Sequence, residues 1–124
     1  MSSIRGSMTL REIIETLQAK VVLDRVGGEV VVEQAGASDL MSDVLWKGGR
    51  ARALLLTGLT TPQSVYTAEM ADVVVVCYVR GKRPEAQTLK LAEQRGIVLL
   101  STDLPMYESC GRLYRQGLKG GSET

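Results

Sequence analysis

Val73-Val74-Val75-Val76-Cys77-Tyr78 is a run of six residues with no charge and no turn former. A strand with one solvated face alternates apolar and polar residues, so an unbroken run must be covered on both faces. The same reading recurs on either side. Ala53-Leu54-Leu55-Leu56 precedes the run and Ile97-Val98-Leu99-Leu100 follows it, and each gives way to a small polar loop and an amphipathic stretch. Short buried strands alternating with helices are the pattern of βαβ units, which place a parallel sheet between two layers of helices. The expected architecture is α/β: a three-layer single domain with a mainly parallel sheet and Val73 to Tyr78 as a central strand.

Local signals punctuate this rhythm. Thr61-Pro62 and Pro84 open the helices after the first two strands, with Thr61 as cap and each Pro at the first helical position, where no amide donor is needed. Gly96 and Gly117 supply left-handed stops. In the last helix Met106, Cys110 and Leu113 share one face, with Tyr107 and Tyr114 beside it.

The first half is less regular. Thr9-Leu10-Arg11-Glu12 is a capping box, and Leu10, Ile13, Ile14 and Leu17 follow at helical spacing, which predicts a helix to Ala19. Lys20 to Leu23 and Glu29 to Glu33 read as strands around a turn at Asp24-Arg25-Val26-Gly27-Gly28. Ser38-Asp39-Leu40-Met41-Ser42-Asp43-Val44-Leu45 reads as a short helix capped by Ser38, with Asp39 in its first turn and Leu40, Met41 and Val44 facing inward. Gly48 and Gly49 end it. The expected boundaries are a flexible N-terminus over 1–7, with Met8 a natural start, a domain over 8–118, and a frayed tail over 119–124.

Composition narrows the function classes. A net charge of +1 over 124 residues argues against a polyanion binder. Four Tyr, one Trp and no Phe leave no base-stacking platform, so no nucleic-acid partner is expected. The absence of His removes the usual zinc sites and Ser-His-Asp triads. Cys77 and Cys110 read as reduced thiols rather than redox or metal groups. No apolar run reaches the roughly 18 to 20 residues of a membrane span, and the N-terminus lacks a signal-peptide core, so a cytoplasmic protein is expected.

If the late strands are parallel, the loops Thr57 to Thr61, Val79 to Arg83 and Ser101 to Asp103 meet at one edge of the sheet, each followed by a helix N-terminus. Exposed amides and the helix dipole favour an anion there. Arg80, Lys82 and Arg83 add positive charge. Thr57, Thr60, Thr61, Ser101 and Thr102 add hydroxyls, and Gly58 allows close approach. These nine residues are the candidate ligand-binding set, for a phosphate-bearing small molecule. The alternative is that the threonines are caps and the cations are solvated surface. Gly81-Lys82 is no P-loop, since Val76 stands for the leading Gly and Arg83 for the Ser/Thr that holds magnesium. Asp39 and Asp43, four apart, form a poor hard-cation site and read as caps. Ser38 and Ser42 have no general base nearby. No catalytic residue, metal site or cofactor is expected.

Several stretches together resemble the DRTGG domain family. Leu23-Asp24-Arg25 and Ser38 to Val44 are similar to its first half. Thr57-Gly58-Leu59-Thr60-Thr61-Pro62, Arg80-Gly81-Lys82-Arg83-Pro84, Leu99-Leu100-Ser101-Thr102 and Gly111-Arg112-Leu113-Tyr114 are similar to its second half. Asp24-Arg25-Val26-Gly27-Gly28 looks like the naming motif with Val for Thr. The resemblance spans about Met8 to Leu118 and implies the fold of the N-terminal domain of HPr kinase/phosphorylase. The C-terminal kinase domain of that enzyme has no counterpart here, so its activity is not implied. In larger proteins such domains accompany CBS domains in regulated pyrophosphatases and look like regulatory, dimerising modules.

Three functions remain open at this point. The first is a non-enzymatic regulatory module that forms a homodimer and senses a phosphorylated metabolite or nucleotide. The second is an interaction module that docks on a partner enzyme with no small-molecule ligand. The third is an HPr-kinase-related enzyme, which would need a nucleotide site and a base. Two surfaces are candidates for the dimer: Trp46, and the apolar strand Val30-Val31-Val32.

Overall fold

The computed structural model describes residues 6–24, 29–41 and 52–120. In chain order the elements are β1 (Met8–Thr9), α1 (Leu10–Leu17), β2 (Lys20–Leu23), β3 (Val31–Val32), β4 (Gln34–Ala37), β5 (Ala53–Thr57), α2 (Gln63–Met70), β6 (Val73–Tyr78), α3 (Ala86–Arg95), β7 (Val98–Ser101), α4 (Met106–Arg115) and β8 (Lys119–Gly120). Six strands form one sheet in the order β2-β7-β6-β5-β4-β8. All its pairings are parallel except that of the edge strand β2 with β7. The expected α/β architecture is observed, with β6 between β5 and β7.

Alternation along the strands sorts the core into two halves. Leu54, Leu56, Val75, Cys77, Val98 and Leu100 pack with Ile13 and Leu17 of α1 and Leu113 of α4. Ala53, Leu55, Val76, Tyr78 and Leu99 pack on the other face with Val65 and Ala68 of α2 and Leu91 and Ala92 of α3. Every residue of β5 is buried, which explains why its sequence carries no polar alternation. The sheet is therefore the middle of three layers.

The capping box forms as predicted. Glu12 N donates to Thr9 Oγ1 at 3.2 Å, and Thr9 N donates to Glu12 Oε1 at 2.9 Å. The helix ends at Leu17, two residues short of the predicted Ala19, because Gln18 turns left-handed at φ 52°. Pro62 and Pro84 sit just outside their helices, which begin at Gln63 and Ala86 with Pro62 and Glu85 at the cap positions. Gly96 takes φ 69° at the end of α3, as predicted.

Three readings are corrected by long-range pairing. Glu29 to Glu33 is not one sheet strand; Val31–Val32 pairs with Met8–Thr9 in a separate ribbon, and Leu10 N donates to Val30 O at 2.9 Å. Val30 and Val32 are 3% and 0% exposed, so the apolar surface expected to drive a dimer is already covered within the chain. Lys119 and Gly120 are not tail but a strand beside Gln34 and Ala35. Leu40, expected inward, is 60% exposed, whereas Met41 is buried as expected. The turn at 25–28, Ser42, Asp43, Val44, Leu45, Trp46, Gly48 and Gly49 lie outside the described residues. No helix of the described residues is long and apolar enough to cross a membrane.

Candidate functional site

Because β5, β6 and β7 are parallel neighbours, their carboxyl ends lie side by side, and the three loops that follow them are tied together by hydrogen bonds. Val79 N donates to Thr57 O at 3.1 Å, Thr102 N to Tyr78 O at 2.9 Å, and Gly81 N to Thr102 O at 2.8 Å. Ser101 Oγ donates to Lys82 O at 2.8 Å. Glu85 N and Thr88 Oγ1 both donate to Thr60 O, at 3.1 and 2.7 Å, which anchors the first loop to the start of α3.

The middle loop has a specific backbone form. Lys82 N donates to Val79 O at 3.2 Å across a turn whose central residues, Arg80 and Gly81, take φ 57° and 71°. Two successive positive φ values match a type I′ turn. Glycine adopts this freely, but an arginine in the left-handed region stores strain and persists only where its surroundings fix it. Here Arg80 N donates to Leu104 O at 2.9 Å, while the Gly81 amide is held by Thr102. A Cβ at Gly81 would meet Asp103 Oδ1 at 3.2 Å. The result is a rigid knuckle that carries the exposed Arg80, Lys82 and Arg83.

One residue of the edge escaped the sequence reading as a site residue. Asp39, taken there as a helix cap, lies in a surface turn where Leu40 N donates to Ser38 Oγ at 3.0 Å. Its carboxylate reaches the first loop: Gly58 N donates to Asp39 Oδ1 at 2.6 Å, and Thr57 Oγ1 donates to the same atom at 3.4 Å. Lys82 Nζ donates to Gly58 O at 3.5 Å. The signal that could have found it is the pair of donors at Gly58 and Thr57, which the local cap argument did not consider.

The nine predicted residues thus divide. Thr57, Gly58, Lys82, Ser101 and Thr102 are brought together, Thr60 contributes its carbonyl, and Arg80 stands on the turn between them. The side chains of Thr61 and Arg83 make no hydrogen bond or ion pair with the other described residues of the set. Most of the hydroxyls expected to serve a ligand serve the loops instead. Thr57 Oγ1 accepts from Leu59 N, Ser101 Oγ holds Lys82 O, and Thr102 Oγ1 donates to Leu17 O at 2.6 Å. What faces solvent is charged: the cations Arg80, Lys82 and Arg83, with the carboxylates of Asp39 and Asp103 beside them. None of the three helices that start behind these loops has a side-chain cap hydrogen bond. At α2 the first-turn amides are nevertheless taken, since Ser64 N donates to Thr61 O at 3.0 Å and Val65 N to Pro62 O at 2.9 Å, so the helix starts that suit an anion are those of α3 and α4.

The Thr57 hydroxyl, which meets the Asp39 carboxylate at 3.4 Å, is fully buried and so poorly placed to attack a bound molecule. The described residues include no cluster of three His, Cys, Asp or Glu side chains placed to hold a metal ion. The thiols are poorly suited to nucleophilic work. Burial pushes the Cys77 thiol up to about 12, and burial also raises that of Cys110 above its ordinary value. Two concavities lie away from the edge. One is an open groove between α1 and α4 bordered by Glu15, Tyr107, Glu108, Arg112 and Arg115, and the other is a small apolar cleft between α4 and the β4–β8 edge.

No protein-family profile matches the chain, and no curated protein sequence matches it significantly. A solved structure does. The chain superposes on the regulatory region of Clostridium perfringens pyrophosphatase, which comprises CBS and DRTGG domains and is complexed with the activator diadenosine tetraphosphate, with a TM-score of 0.65 and 16% identity. The match covers 91% of this chain. The fold is that of a DRTGG domain. At this identity the likeness establishes the DRTGG fold and no more. The chain spans about half the length of the structure that it matches, 48% of it. The regulatory, non-catalytic character of that region belongs to the pyrophosphatase.

Proposed function

We propose that this DRTGG-fold chain is a non-catalytic regulatory module that binds a phosphorylated metabolite or nucleotide along the carboxyl edge of β5, β6 and β7. The observation that carries the reading is the Arg80-Gly81-Lys82 turn: a strained knuckle, its amides locked to the loop after β7, that holds cations beside the uncapped starts of α3 and α4. Strain of this kind costs about 1 to 3 kcal/mol and is concentrated at functional positions. The pyrophosphatase region with the same fold carries a dinucleotide polyphosphate activator, which lends the ligand class plausibility without locating the site. Cations and backbone amides suit recognition of an anion.

A thermal-shift titration with ATP, diadenosine tetraphosphate and inorganic tripolyphosphate tests this. A ligand at about 100 times its dissociation constant adds roughly 2.7 kcal/mol of stability. The Arg80→Ala/Lys82→Ala protein should lose the response. A shift that survives in the double variant removes the edge from the reading.

One observation favours a second reading, an assembly module that forms a homodimer or docks on a partner enzyme with no small molecule. The hydroxyls of Thr57, Ser101 and Thr102 are all engaged within the chain, as expected of loops built for rigidity. Light scattering at micromolar concentration distinguishes a dimer from a single chain.

A further inference from the structure

We infer that Asp39 is a tethered competitor for the anion site, so that the edge rests in a self-occupied state and a phosphate-bearing ligand must displace the Asp39 carboxylate. The inference rests on the ligand reading above and names the residue that controls it. A carboxylate oxygen and a phosphate oxygen ask the same thing of a donor. At the end of β5 the donors are the Gly58 amide and the Thr57 hydroxyl, and both point at one atom, Asp39 Oδ1. A backbone amide donating to an ionised carboxylate, as Gly58 N does here, makes a charge-assisted bond, stronger than a neutral one.

Glycine at position 58 is what admits the arrangement. A Cβ there would lie 3.2 Å from Asp39 Oδ1, 3.6 Å from Oδ2 and 3.6 Å from Lys82 Nζ. A carboxylate and an ammonium thus flank one α-carbon. Asp39 belongs to the chain but not to the sheet. Its turn lies beyond the end of β4, its own side chain is exposed, and Leu40 beside it is 60% exposed. Swinging the carboxylate out therefore breaks the bonds to Gly58 and Thr57 without opening the core.

A short tether gives a group an effective concentration in the millimolar range, against which a free ligand must compete. Apparent affinity falls by the fraction of molecules in which the site is open. Removing the carboxylate should tighten anion binding at this edge, whereas removing another negative charge nearby should not.

The test is calorimetric titration of the full chain with inorganic tripolyphosphate at fixed ionic strength. Asp39→Ala should bind about tenfold tighter than wild type or better, because the competitor is gone. Asp103→Ala, which removes a carboxylate from the same edge but not from Gly58, should change affinity less than about threefold, as expected for screened surface charge. Adding Lys82→Ala to Asp39→Ala should cancel the gain. Equal affinities for wild type and Asp39→Ala overturn the competitor and leave the ligand site standing. An equal gain from Asp103→Ala, or a gain that survives Lys82→Ala, also overturns it by showing a general charge effect. Weaker binding by Asp39→Ala than by wild type overturns the competitor alone, and no binding by either protein overturns both the competitor and the ligand site.

Discussion

Thr102 Oγ1 donates a hydrogen bond to the Leu17 carbonyl at 2.6 Å, joining the loop after β7 to the last turn of α1 across 85 positions. The same hydroxyl accepts from Leu104 N at 3.2 Å, and Thr102 is 1% exposed. Leu17 O is one of the final carbonyls of a helix, which have no partner within it. Arg112 of α4 treats the preceding carbonyl likewise, its Nη1 donating to Thr16 O at 3.3 Å. The α1 terminus is thus pinned to both the candidate edge and the neighbouring helix.

Replacing Thr102 by Val keeps the shape and strands one buried acceptor and one donor. Unfolding in urea should show a loss of about 1 to 3 kcal/mol, the usual cost of unsatisfied buried groups. Thr102→Ser retains the hydroxyl and should lose clearly less.

Alkali should destabilise the fold through two adjacent groups of β6. Burial pushes the Cys77 thiol from 9.0 to about 12 and the Tyr78 phenol from 10.0 to about 12, the latter partly offset by its 2.9 Å hydrogen bond with Ser64 Oγ. Both are acids whose neutral form the fold favours, so between those values the unfolded chain binds fewer protons. The contribution is fully present below pH 9 and is lost as pH rises toward 12, with a limiting slope of about 1.4 kcal/mol per pH unit for each group. Denaturation at pH 8, 10 and 11 checks the slope. Cys77→Ala and Tyr78→Phe should each flatten it, and Tyr78→Phe leaves Ser64 Oγ still donating to Thr61 O at 2.8 Å.

The readings that survived were those whose physics is local or binary. An unbroken apolar run must be covered twice, so Val73 to Tyr78 announces a central strand from composition alone. Thr9 and Glu12 complete their capping box within one turn. β4 announces nothing: Gln34-Ala35-Gly36-Ala37 has no β-branched or aromatic residue, and it is a strand because β5 and β8 pair with it on either side. Lys119 and Gly120 likewise form a strand only through their pairing with Gln34 and Ala35. The edge was legible in outline, since parallel strands align their loops. Its chemistry was not, because a hydroxyl's partner can lie far along the chain: Thr102 finds Leu17, and Gly58 finds Asp39, 19 positions away.

Gly58 and Asp39 should be energetically coupled. Gly58→Ala places a methyl 3.2 Å from Asp39 Oδ1, tighter than ordinary contact, so the exposed carboxylate must retreat and the 2.6 Å bond weakens. The expected loss in the wild-type background is about 1 kcal/mol, the scale of one such hydrogen bond. In an Asp39→Ala background the methyl meets no carboxylate, and the same substitution should be nearly neutral. A double-mutant cycle by chemical denaturation reads the coupling directly, and additive effects would mean that the two residues do not interact in solution.

The Arg80-Gly81 turn makes the sharpest distinction between backbone and side chain. Gly81 holds φ 71° and faces Asp103 Oδ1 at 3.2 Å from where a Cβ would sit. Gly81→Ala incurs both the left-handed penalty and a contact, and should cost about 1 to 2 kcal/mol. Arg80 is already in the left-handed region at φ 57°, so Arg80→Gly relieves strain while raising the entropy of the unfolded chain. These terms oppose each other, and the net change should stay within about 0.5 kcal/mol, the range of ordinary surface substitutions. If the turn exists to present a cation, Arg80→Gly should keep the melting temperature and lose anion binding, whereas Gly81→Ala should lower the melting temperature. An Arg80→Gly protein that binds tripolyphosphate as the wild type does would show that the strained arginine has no part in recognition.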